Sequence, residues 1–226
     1  ASLYRTPLQE ILPARPTARV IEAPFVPQVS DLGARHPVTA GLPRDGEWGG
    51  WLRQIEIEPQ RGHVVMTGLE DRPLLVLDRF GEGRVALLAS DHAWLWARGY
   101  EGGGPQLELL RRLAHWMMAE PELEEDTLWA EPSGQQMRII RRALSEDVED
   151  VTVTSPSGAA QSLPMTEVAP GRFEAQYEGS EIGLYRLVSG DKRAVIGLGP
   201  AAPREFERTI ATSEIMAPVL APMRGG

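Results

Sequence analysis

The chain contains no cysteine. That excludes a disulfide framework, a thiolate metal centre and a cysteine nucleophile within these 226 residues. Lysine is nearly absent too, because Lys192 is the only one among 23 basic residues. The arginines are spread along a chain of net charge −9, so no basic face marks a nucleic-acid partner, and none is expected. No apolar run approaches the roughly 18–20 residues of a membrane span, and no leader of the charged-then-apolar kind opens the chain. What is present is ordinary for a folded protein: 42% hydrophobic and 24% charged residues, enough apolar mass for one or two domains with real cores.

The stretch from Arg72 to Met118 is the most ordered in pattern. Leu74–Leu77 and Val85–Ala89 are short apolar runs, and His63–Thr67 before them is similar. Continuous apolar runs of this length predict strands covered on both faces, as in an α/β sheet. Gly81-Glu82-Gly83 between two of them is a hairpin signal. From Gly104-Pro105 the spacing predicts a helix ended by Pro121. Leu107, Leu110, Ala114 and Met117 mark one stripe, widened by Leu109, Leu113 and Trp116, and the broad face is expected to pack on a sheet. Upstream, residues to about Pro59 are Pro-rich and irregular, with a helix start at Thr6-Pro7 and a strand over Leu52–Ile57.

The acidic run from Glu120 to Asp126 reads as a solvated connector. Beyond it the period changes. Six short strands are expected over 136–144, 148–154, 161–165, 172–177, 183–188 and 194–198, separated by Pro156-Ser157-Gly158, Pro170-Gly171 and Gly190-Asp191. This is the pattern of a β-sandwich. Gly183-Leu184-Tyr185 is either a strand corner tied down by the tyrosine hydroxyl or an ordinary half-buried strand residue. The organisation expected is therefore an α/β domain over 1–120, a linker over 121–127, a sandwich over 128–200 and an irregular tail over 201–226, with short helices at Arg204–Arg208 and Ser213–Met216.

Several blocks together carry a resemblance: Thr6-Pro7-Leu8 with Leu12-Pro13, His36-Pro37-Val38-Thr39-Ala40-Gly41-Leu42, Pro73-Leu74-Leu75-Val76 with Gly81-Glu82-Gly83-Arg84-Val85, and Trp94-Leu95-Trp96 before a Leu-rich helix. In that order they resemble the later half of a class I glutamine amidotransferase-like domain. More narrowly, they resemble the version found in large bacterial membrane proteins that carry a von Willebrand A-like region. The resemblance covers roughly residues 1–120. It implies a flavodoxin-like α/β fold whose earlier half lies upstream of Ala1, followed by an immunoglobulin-like all-β sandwich. It also implies a parent chain anchored in the bacterial inner membrane outside this stretch; the periplasmic side is expected because sandwich adaptors are frequent there. Amidotransferases of this class use a cysteine on a strand-to-helix elbow and a His-x-Glu pair. The elbow belongs to the half expected upstream of Ala1; no His-x-Glu pair occurs in this stretch, so no catalytic residue is carried over, and no cofactor is implied.

Three groups of side chains remain as candidates. Asp91-His92 follows a strand end, where open α/β sheets bind ligands, and is either an oriented base or the start of a helix cap. His36, extended because Pro37 follows it, is expected either to reach the same crevice or to bond to backbone in its loop. Trp94, Trp96 and Tyr100 ahead of Gly102-Gly103-Gly104 are either an aromatic binding surface or plugs of a sheet edge. The glycine run lacks the Lys and Ser/Thr of a phosphate-binding loop. His63 and His115 have no acid at metal spacing, so no metal site is expected. These readings favour a non-catalytic binding or assembly module whose partners are other envelope or membrane proteins. A hydrolase of amidotransferase type working through His36, Asp91 and His92 is the second reading, and a carbohydrate or small-ligand sensor the third.

Overall fold

A computed structural model describes residues 3–43 and 48–199. The short helices expected at Arg204–Arg208 and Ser213–Met216, with the tail they belong to, lie outside the described residues. By contacts the chain divides into two compact units. The first holds the described residues of Ala1–Thr127 with Arg141–Val148 and Met165–Glu174, and the second those of Leu128–Ile140, Glu149–Pro164 and Ala175–Gly226.

The flavodoxin-like expectation is overturned. Strand β1 (Ala14–Ile21) pairs antiparallel with β3 (Gln54–Pro59) in a two-stranded ribbon. Strands β2 (Gln28–Val29), β4 (His63–Thr67), β5 (Pro73–Phe80) and β6 (Gly83–Leu88) form a second sheet in the order β2-β4-β5-β6, antiparallel throughout. The connections decide the topology. A parallel pair needs a crossover of roughly a dozen residues or more, whereas only Gly68–Arg72 joins β4 to β5 and only Gly81 and Glu82 join β5 to β6. Gly81, at φ 59°, supplies the left-handed residue of that turn.

The apolar run of β5 is nevertheless covered on both faces, as its composition demands. Val76 packs with Ala14, Ile57 and Ala89, on the side of the β1–β3 ribbon. Leu75 and Leu77 join a larger core with Leu109, Leu113 and Trp116 of helix α3 (Gln106–Met117). Double burial therefore comes from a ribbon on one face and a helix on the other, without a parallel sheet. Only half of the expected helix stripe is used: Leu109, Leu113 and Trp116 are buried, while Leu107 (83% exposed), Leu110 and Met117 face outward. Two short helices complete this part, α1 (Asp31–Arg35) and α2 (Trp94–Ala97). Gly33 in α1 is required by its neighbour, since a Cβ there would lie 2.0 Å from the Val65 carbonyl oxygen.

The later strands are β7 (Thr127–Ser133), β8 (Gln136–Arg142), β9 (Val151–Thr154), β10 (Ala160–Leu163), β11 (Thr166–Ala169), β12 (Arg172–Glu178), β13 (Gly183–Ser189) and β14 (Lys192–Leu198). They form two four-stranded sheets, β10-β9-β13-β14 and β11-β12-β8-β7. Buried and open positions alternate along them, as at Val151 and Val153, Phe173 and Ala175, and Tyr185 and Leu187. This content is compatible with an immunoglobulin-like sandwich. The Tyr185 hydroxyl donates to the Glu181 carbonyl (2.9 Å) and accepts from the Glu181 N–H (3.1 Å), so the residue pins the turn that leads into its own strand.

Candidate functional site

His36 is the most enclosed titratable side chain among the candidates, with no solvent exposure. Local sequence puts it there. Ser30 caps α1, its Oγ accepting from the Gly33 N–H (2.9 Å) and donating to the Val64 carbonyl (2.7 Å). Pro37 then bars the helical region to the preceding residue, and His36 leaves the helix with ψ 128°. Its Nδ1 accepts from the Val38 N–H at 3.2 Å, which assigns the proton to Nε2. Nε2 stands 3.4 Å from Glu125 Oε1, a polar contact rather than an aligned hydrogen bond. The ring meets that of Trp116 edge-on at 5.8 Å.

Glu125 is the centre of the cluster. Oε1 accepts from Trp116 Nε1 at 2.7 Å, and Oε2 pairs with Arg79. Arg79 also reaches Glu124 at 2.7 Å. Arg84 pairs with Glu124, donates to the Trp116 carbonyl (2.6 Å) and lies 5.3 Å over the Trp116 ring. Burial alone would raise the Glu125 carboxyl, but contacts with His36, Arg79 and Trp116 outweigh it and hold the group below the usual carboxylate range. Burial pushes His36 the other way from charge, below its ordinary value, against a smaller opposing pull from Glu125. The resting state is thus a neutral imidazole beside an ionised, Arg-paired carboxylate. The only basic nitrogen of the imidazole is occupied by a backbone amide, so His36 is built to position Glu125 and Trp116. The acidic run is corrected accordingly: Glu125 is a buried, paired residue and not a solvated one.

Asp91 and His92 have a different environment. Ser90 Oγ donates to the Arg53 carbonyl (2.7 Å) and accepts from the His92 N–H (3.1 Å), an arrangement of the capping type. The Asp91 carboxylate is held by Arg53, which keeps it below its usual pKa. His92 Nδ1 accepts from the Leu52 N–H at 3.2 Å, and its Nε2 lies 3.9 Å from Asp91. Among the described residues no hydrogen bond or ion pair joins His36 to Asp91 or His92.

The aromatic candidates separate. Trp94 is 53% exposed and stands edge-on to the His92 ring at 6.4 Å. Tyr100 is partly exposed beside Glu101, whose charge raises its phenol. Trp96 is buried between Trp48 (5.2 Å) and Trp51 (4.8 Å) and donates to the Gly49 carbonyl at 2.7 Å. The glycine run serves this packing, because a Cβ on Gly104 would come within 2.5 Å of the Trp96 ring.

Sequence reasoning missed Glu125, Trp116, Arg79 and Arg84 as one cluster. A signal existed: Arg79 and Arg84 flank the two-residue turn and are register partners in β5 and β6, so they present two guanidiniums side by side to a matching acidic run. Among the described residues no group of three or more His, Asp or Glu side chains is placed to hold a metal ion, and no helix is long and apolar enough to cross a membrane. Searches among curated proteins and among solved structures return no match. The model of one family, described as "Putative glutamine amidotransferase", matches residues 1–101. The part of the chain that carries His36, Asp91 and the tryptophan cluster is therefore similar in sequence to glutamine amidotransferases.

Proposed function

We propose that this chain is a non-catalytic binding or assembly module with an amidotransferase-like first part, belonging to a bacterial inner-membrane protein and working with other envelope proteins on the periplasmic side. The observation that supports it is the state of the candidate bases. His36 is sealed in the core with its acceptor nitrogen occupied, His92 spends the same nitrogen on the Leu52 amide, and Asp91 is neutralised by Arg53. The intact chain, given glutamine, is expected to release ammonia no faster than buffer, and in a crosslinking experiment on envelope extracts it is expected to capture a membrane protein. A second reading, hydrolysis through Asp91 and His92, is supported by the family match over residues 1–101. Ammonia release that disappears in His92→Ala would establish that reading in place of the first.

A further inference from the structure

The first unit contains a cleft of about 400 Å³, formed by α3, the loop after α1, the acidic stretch after α3 and the β11–β12 turn. Five guanidiniums line it, those of Arg35, Arg111, Arg112, Arg142 and Arg172, against the carboxylates of Glu120 and Glu122. On a chain of net charge −9 this is a local concentration of arginine. The positive groups are held in place from behind. Arg112 donates to Glu108 Oε1 (2.6 Å) and to the carbonyls of Pro37 and Gly41 (3.1 Å each). Arg111 grips the same Glu108 through two bonds (2.9 and 2.8 Å), so one carboxylate serves two guanidiniums. Arg35 is fixed by Glu167 (2.7 Å) and the Ser145 carbonyl (3.2 Å), and Arg172 by Glu174 (2.8 Å). Arg142 donates to the carbonyls of Glu122 (2.6 Å) and Glu124 (3.2 Å), and burial together with the charge of Arg172 weakens its basicity.

None of Glu108, Glu167 and Glu174 lines the cleft, so the carboxylates that balance Arg111, Arg112, Arg35 and Arg172 stand outside its wall. The wall is shaped for this. A Cβ on Gly41 would fall 2.7 Å from an Arg112 terminal nitrogen, and a Cβ on Gly171 would fall 2.9 Å from the Arg35 Cβ. Guanidiniums held rigidly and spaced around a small volume suit planar or tetrahedral oxyanions, which they bind through paired, charge-assisted hydrogen bonds. We propose that this cleft binds a small oxyanion with at least two negative charges, of the phosphate or polycarboxylate class. The proposal goes beyond the binding-module reading and does not depend on it, since no lining residue belongs to the Asp91–His92 group.

Calorimetric titration of the intact chain with pyrophosphate and, separately, with citrate at low ionic strength tests it. Saturable 1:1 binding of either probe is expected, and the stronger of the two identifies the phosphate or the carboxylate class. Arg111→Gln and Arg172→Gln should each weaken it about tenfold, the value of one charge-assisted hydrogen bond. Glu122→Gln should tighten it. That variant guards against misfolding, because damage to the fold weakens binding and only the loss of a repelling charge strengthens it. Absence of saturable heat with both probes, or binding that the arginine variants leave unchanged, overturns the assignment.

Discussion

A neutral His36 next to an ionised Glu125 ties stability to pH through two residues that act in the same direction. The folded state depresses the His36 pKa, so its contribution is complete above the unfolded value of about 6.5 and is lost as pH falls below it. Glu125 is depressed as well, so its contribution is complete above about 4.3 and is lost as pH falls through the carboxylate range and beyond. The urea midpoint is therefore expected to be flat from pH 8 to 7 and to fall in two phases below. His36→Gln should remove the upper phase; a midpoint independent of pH down to 5 would show that the imidazole is not held neutral. Tyr185 makes a second prediction at this scale. Its hydroxyl satisfies both backbone groups of Glu181, so Tyr185→Phe leaves a part-buried amide and carbonyl short of a partner and should cost about 0.5–1.5 kcal/mol in denaturant unfolding.

Elements were legible to different degrees. The strands His63–Thr67, Leu74–Leu77 and Val85–Ala89 are visible in composition, and so is helix α3, because their burial is written into runs and stripes. Their arrangement is not, because a run buried on both faces is the same sequence whether a parallel sheet or a ribbon and a helix cover it. The information that separates the two lies in loop length. Gly81-Glu82 between β5 and β6 permits a hairpin and forbids a crossover, so it fixes this one pair as antiparallel, while the pairing of the other strands is set by tertiary packing. Strand β1 was hidden by Pro13 and Pro16, which a strand in a two-stranded ribbon tolerates. In the site, His36 and Pro37 were readable, but Glu125 and Trp116 are joined to them only by tertiary packing. Two tests belong to this scale. Leu109→Ala should cost about 2–5 kcal/mol as a core truncation, while Leu107→Ala on the outward stripe should stay within about 0.5 kcal/mol; equal losses would mean that both stripes are covered. Gly104→Ala drives a methyl into the Trp96 ring, so it should cost about 1–3 kcal/mol and shift tryptophan fluorescence.

At the scale of the molecule, the sequence similarity and the architecture carry different messages. Residues 1–101 match an amidotransferase-like family, yet the sheets there are antiparallel and the imidazoles of His36 and His92 are tied into the framework. The charges are organised in the same spirit. Arg79 and Arg84 bind Glu124 and Glu125 from adjacent strands, and Arg141 takes Asp126, so an acidic segment that reads as a tether is fastened at three successive positions. A fastened segment is a poor protease substrate, since a cleavage site must unfold locally to enter an active site. A Glu-specific protease acting on the native chain should accordingly cut after Glu82, at the exposed hairpin tip, well before it cuts after Glu124 or Glu125, and urea should abolish the difference. Early scission at 124–125 would mean that these ion pairs open freely, and a stretch that sequence alone marks as the place to divide the chain would then be a practical one.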